Sequence, residues 1–234
     1  MKVRRFLINS GTLSITLLLF AFILRLYHLD YQPIWSDERD VLEFSTQSLP
    51  SLLQNFDRPG WNGPLHYLLL SFWLKGMGAS LFTLRYFSLL WGLLSVALAR
   101  PLGDKLLRLP YAGWGLGLVM AASPYLVWYA QDGKMYSLLL FLSMAALLCL
   151  LISVQSNHWF YWSAFILING VMWYTHILSA LMLPFYLLVA WHRGNLIARR
   201  RLVFALILLV LLNLPLLSWE IKILISPFET GHPY

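Results

Sequence analysis

The sequence predicts an all-α fold, a polytopic transmembrane helical bundle of about seven spans, and three observations predict it. Hydrophobic residues fill 59% of the 234 positions and charged residues only 12%, a balance that no soluble globular domain of this length sustains. The apolar residues gather in runs close to the roughly 20 residues needed to cross about 30 Å of hydrocarbon. The basic residues sit in short clusters between those runs, as the positive-inside rule requires of cytoplasmic loops. Topology therefore accounts for the formal charge of +7, and no nucleic acid is expected as a partner. The single cysteine, Cys149, falls inside an apolar run, so the chain has neither a disulfide framework nor a thiolate metal cluster of its own.

Taken in order, the spans lie near 7–26, 80–100, 111–130, 135–154, 159–176, 177–192 and 202–219. The first follows Lys2, Arg4 and Arg5 and has no small-residue cleavage site, which makes it a retained anchor. With a cytoplasmic N-terminus, three inner segments carry basic clusters: Lys2, Arg4 and Arg5, then Arg100, Lys105 and Arg108, then Arg193, Arg199, Arg200 and Arg201. Asp104 is the only acid on that side; all other acids, from Asp30 to Glu229, fall on the outer face. The expected location is a multi-pass plasma or inner membrane, with the whole chain as one membrane domain.

Residues 28–79 form the first outer loop. In Trp35-Ser36-Asp37-Glu38-Arg39-Asp40, Ser36 is placed to cap a helix whose first turn holds the acids, where the macrodipole favours them. Leu49, Leu52, Leu53 and Phe56 repeat at helical spacing and predict a short amphipathic helix on the bilayer. Asp57 to Pro64 is turn-rich. Residues 64–78 begin at a proline, contain His66 and Lys75 and end in Gly-Met-Gly, so they are read as a juxtamembrane helix that does not cross. A crossing there would put Arg199, Arg200 and Arg201 outside.

Four outer clusters carry candidate chemistry. Asp37 with Glu38 reads either as a charged helix start or as an acid/base pair. His66 with Arg58 reads as a structural imidazole or a polar contact for substrate. Tyr129 to Tyr136 contains Lys134, which either snorkels to the interface or meets a lipid phosphate. Trp173-Tyr174-Thr175-His176 reads as an aromatic belt or a part of the same site.

Together, "WSDE", "NGPLHYLLLSFWLKGMGASLFTLRYFSLLWGLL", "SPYLVWYAQDGKMYSL" and "WYTHILSALMLPFYLL" resemble, in order and spacing, the N-terminal half of bacterial glycosyltransferases of the family 39 (PMT-2-like) type. These are GT-C-fold enzymes akin to protein O-mannosyltransferases. The resemblance implies inverting transfer of a sugar from a polyprenyl-phosphate donor to an acceptor hydroxyl on the outer face. It implies Asp37 as general base, Glu38 as its orienting neighbour, Lys134 and Tyr136 at the donor phosphate, and His66 and His176 at the substrate. Lys134 stands where the family usually has arginine. The family's members are about twice this length, which implies a C-terminal half or a partner subunit.

The chemistry agrees. An attacking hydroxyl needs a base within hydrogen-bond reach, and a leaving phosphate needs fixed positive charge, which Lys134, Arg58 and Arg85 offer. A divalent metal ion near Asp37 and Glu38 is a further expectation. The acceptor is a protein, lipid or glycan. Two other classes compete: a transporter or flippase for lipid-linked sugars, and a non-catalytic lipid-binding subunit. Transporters carry mid-span ionisable residues and internal repeats; here the charges cluster at the outer boundary and no repeat is evident.

Overall fold

The computed structural model describes residues 10–55 and 63–225, and among them every regular element is a helix. In chain order these are α1 (Ser10–Leu26), α2 (Ser36–Thr46), α3 (Leu49–Asn55), α4 (Pro64–Met77), α5 (Leu81–Leu107) and α6 (Ala112–Ala122). There follow α7 (Pro124–Ala130), α8 (Tyr136–Ser156), α9 (Trp159–Trp173), a 3₁₀ turn (Ile177–Met182), α10 (Leu183–Arg193) and α11 (Leu196–Ile225).

Among the described residues, three helices are long and apolar enough to cross a membrane: α5, α8 and Leu196–Leu217 of α11. The segments Ser10–Leu26, Ala112–Ala122 and Ile177–Arg193 are apolar but shorter. The described parts of the seven apolar runs are largely helical, but not as seven continuous rods. The run 111–130 divides because Ser123 is extended before Pro124; a proline disfavours helical geometry in the residue before it and suits the first turn after it. The run 177–192 opens as 3₁₀ before Pro184 starts α10. The helix within 159–176 stops at Trp173.

The core is built on α5 and α8, with Ala21, Ala99, Ala121, Ala146, Leu150 and Phe165 fully buried. Small residues let the backbones meet, as membrane helices require. A Cβ at Gly103 of α5 would lie 2.8 Å from the Cα of Gly113 in α6, and the Gly113 amide donates to Asp104 Oδ1 at 3.0 Å. Exposed apolar side chains run along the outer faces of α1 (Ile15, Leu19, Ile23) and α11 (Val203, Phe204, Ile207), the surface expected of lipid-facing helices.

At the end of the bundle that carries the basic clusters, arginines also satisfy helix ends. Arg193 donates to the carbonyls of Lys105 (2.8 Å) and Leu106 at the end of α5, and Arg201 donates to that of Asn157, the C-cap of α8. Cations there meet both the orphan carbonyls and the helix dipole. On the opposite side, α4 is 14 residues long, about 21 Å, short of the hydrocarbon thickness. It buries Tyr67, Leu70 and Leu74 together with Val41 and Phe44 of α2 and Leu84 and Phe87 of α5. The seven-residue α3 lies where the amphipathic spacing placed it.

Ser48 and Asn195 are both exposed. Single cysteines placed there are expected to label from opposite sides of the membrane; labelling from the same side would overturn the orientation.

Candidate functional site

Asp37 and Glu38 occupy the first turn of α2, the position at which the macrodipole favours carboxylates. The capping residue differs from expectation. Trp35 holds the N-cap position without a side-chain bond to the helix, while Ser36 is already helical and donates its hydroxyl to Asp37 Oδ1 at 3.4 Å. Consecutive helical residues diverge by about 100°, so the two acids part: the Glu38 side chain is 1% exposed and that of Asp37 45%.

Glu38 is held by a two-pronged pair with Arg85 of α5, Nε to Oε1 at 2.9 Å and Nη2 to Oε2 at 2.7 Å. The Gly133 amide adds a third bond to Oε1 at 2.9 Å. Arg85 also donates to the carbonyls of Leu29 (3.0 Å), Gln32 (2.9 Å) and Pro33 (3.4 Å). The guanidinium offered by the sequence as a phosphate cation is thus spent on Glu38 and the chain following α1. Gly133 has no room for a side chain: a Cβ there would lie 2.6 Å from Leu84 Cγ.

Lys134 donates to Asp37 Oδ2 at 2.6 Å, sits 5.4 Å above the Trp35 ring and has a side chain only 12% exposed. It does not snorkel to water. A divalent ion at Asp37 and Glu38 would have to displace one of these cations, and among the described residues no group of three or more His, Cys, Asp or Glu side chains is gathered.

The histidines approach from two further elements. The Leu65 amide at the start of α4 donates to the Tyr174 carbonyl at 3.0 Å, which joins the two histidine-bearing stretches. His66 is 1% exposed, neither ring nitrogen has a hydrogen-bond partner, and the Phe87 ring lies 5.9 Å away. Burial holds its pKa down to about 3, with the charge of Lys134 acting in the same direction and the Gly133 backbone opposing. It is therefore neutral at physiological pH. His176 caps the 3₁₀ turn, Nδ1 accepting from the Leu178 amide at 3.0 Å. Tyr136 stands 6.5 Å from His176 and packs edge-on against Tyr129 at 5.0 Å. Arg58 lies outside the described residues.

A cavity of about 600 Å³ opens beside this cluster. Tyr27, Tyr31, Trp35 and Trp128 line its sides, with Glu38, Arg85, Gln131 and Asp132 among its polar groups. Tyr27, His28 and Tyr31 form a stack with ring centroids 4.0 and 4.8 Å apart, made possible by a left-handed His28 (φ 56°). No local signal gives this aromatic wall or Asp132 a role, although Trp35 and Asp132 lie within the Trp35–Asp40 and Tyr129–Tyr136 clusters.

Asp132 Oδ1 is buried without a partner. Burial, then the charge of Glu38, raises its pKa to about 6, with Lys134, Trp35 and Arg85 pulling the other way. A carboxyl with a raised folded-state pKa binds more protons folded than unfolded between about pH 4 and 6, so its contribution to stability is present below that window and lost through it. Asp132→Asn is expected to remove this pH dependence and to raise the melting temperature above pH 6. A melting profile across pH 4–8 unchanged by the substitution would contradict it.

No protein-family model, curated protein or solved structure matches the chain.

Proposed function

We propose that the protein is an integral-membrane glycosyltransferase of GT-C type. It moves a sugar from a polyprenyl-phosphate donor to an acceptor hydroxyl on the outer face of a cell membrane crossed about seven times. The observation that carries the reading is the pairing of two adjacent carboxylates with cations from two other segments, Asp37 with Lys134 and Glu38 with Arg85. The cluster adjoins a cavity walled by aromatic rings. Ring faces pack on the C–H faces of sugars, and a few convergent polar groups among apolar walls are the usual make-up of a small-molecule site.

In this mechanism the acceptor hydroxyl gives its proton to the Asp37 carboxylate as its oxygen bonds to the anomeric carbon from the face opposite the phosphate. The bond from that carbon to the phosphate oxygen breaks, and the phosphate leaves with the electron pair, so the anomeric configuration inverts. Lys134, already beside Asp37, supplies positive charge for the departing phosphate. Glu38, fixed by Arg85 and Gly133, sets the position of the α2 first turn and hence of Asp37.

The test is sugar transfer from radiolabelled polyprenyl-phosphate sugars by the purified protein, alone and with a candidate C-terminal partner. Within that assay Lys134→Ala is expected to weaken donor use more than Lys134→Arg, because arginine keeps both the charge and the phosphate contact. Equal apparent donor affinity in wild type and Lys134→Ala would remove Lys134 from the phosphate site.

A further inference from the structure

The side chains that line the aromatic cavity are unequal in what they leave for a guest. All five N–H groups of Arg85 are occupied, Nε on Glu38, Nη1 on the Leu29 and Gln32 carbonyls, and Nη2 on Glu38 and the Pro33 carbonyl. No other arginine or lysine is among the described lining residues. Gln131 gives its amide nitrogen to the backbone carbonyls of Arg25 (3.0 Å) and Tyr27 (2.8 Å), so the polar atom it has left is Oε1, an acceptor. Asp132, its neighbour, forms no ion pair among the described residues. The charged and amide groups of this cavity therefore offer acceptors and no free cation.

Charge is unbalanced in the same sense. Asp37 is matched by Lys134 and Glu38 by Arg85, whereas Asp132 has no cation of its own, and with a pKa of about 6 it is mostly ionised at neutral pH. One negative charge is left over. Around it stand the exposed rings of Tyr27, Tyr31 and Trp128, and ring faces attract cations by about 0.5–2 kcal/mol. Trp35, in the same wall, already has the Lys134 ammonium 5.4 Å from its ring centre. The complement of such a site is a protonated primary amine, which carries one positive charge and three donors and has no acceptor.

We infer that this cavity binds a primary ammonium group, with Asp132 as counter-charge, Gln131 Oε1 as hydrogen-bond acceptor and the Tyr27, Tyr31 and Trp128 rings around it. An amino sugar uses both the charge and the rings, whose faces also pack on sugar C–H groups. Only the role of that molecule rests on the proposed function: under that reading it is the acceptor, an unacetylated amino sugar whose hydroxyl receives the transferred unit.

The experiment measures equilibrium binding of radiolabelled glucosamine to the purified full chain, with no lipid donor present. N-acetylglucosamine has the same ring without the charge and is expected to compete about 10- to 100-fold more weakly than glucosamine, the range carried by a charge-assisted hydrogen bond. Asp132→Asn is expected to weaken glucosamine binding over the same range. Trp128→Leu, at an exposed position, is expected to weaken it about 3- to 30-fold and decides the matter if Asp132→Asn does not fold. Competition by N-acetylglucosamine as strong as by glucosamine overturns the inference, as does wild-type affinity in either variant. Sugar transfer is read separately: glucosamine binding in a protein that never transfers sugar sinks the proposed enzyme and leaves the site standing. Transfer to an uncharged acceptor without glucosamine binding does the reverse.

Discussion

Asp37→Asn is expected to lower sugar transfer by about 10²–10⁴-fold, the range for loss of a general base, while expression and helix content stay at wild-type levels. Asparagine keeps the shape of the carboxylate but cannot take up the acceptor's proton. Lys134, 2.6 Å away, still has an amide oxygen to meet, so the local structure survives. If Asp37 serves only the start of α2, the outcome is different: its side chain is 45% exposed, and the favourable term from a surface charge in a first turn is about 0.3–1 kcal/mol. Turnover near wild type in an active preparation would remove Asp37 as the base and leave Asp40 or Asp132 as the next to test. Glu38→Gln is the matched control and reads out folding more than chemistry, because both Glu38 oxygens are occupied within the protein.

Arg85→Met is expected to destabilise the folded chain by about 3–5 kcal/mol, the cost of stranding one member of a buried ion pair. Glu38 would keep only the Gly133 amide, and the carbonyls of Leu29, Gln32 and Pro33 would lose their shared donor. Replacing both members by methionine should cost less than the single change, since no uncompensated charge then remains. Thermal unfolding in detergent measures both. A single-variant loss below about 1 kcal/mol, the level of an exposed pair, would show that the pair does not hold the outer loop together.

Much of the fold was legible because it is local. The apolar runs, the acids in the first turn of α2, the seven residues of α3 and the proline-started α4 each follow from spacing and end signals within a few residues. The break at Ser123 was legible as well, since Ser-Pro announces it, yet the hydropathy of 111–130 carried the reading to a single span. What the sequence could not reveal is which charges meet. Glu38 and Arg85 are 47 positions apart and Asp37 and Lys134 are 97 apart, and no local rule connects them.

Nothing near Arg85 in the chain announces its partners, which come from α2 and the loop after α1. Arg25 was absorbed into the first span, although an arginine inside an apolar run is itself a sign of a special environment. Asp132 was hidden by its neighbour Lys134, which offered the more obvious chemistry.

The many-handed grip of Arg85 has a mechanical side. One side chain ties the chain between α1 and α2, the first turn of α2 and, through Glu38, the Gly133 backbone to the rigid shaft of α5. These parts form the polar floor of the aromatic cavity and cannot loosen one at a time, because releasing any of them leaves a buried charge without its full set of partners. Any widening to admit a bulky guest therefore falls to rotation of the exposed rings of Tyr27, Tyr31 and Trp128, because the backbone that carries the two tyrosines belongs to the segment Arg85 holds.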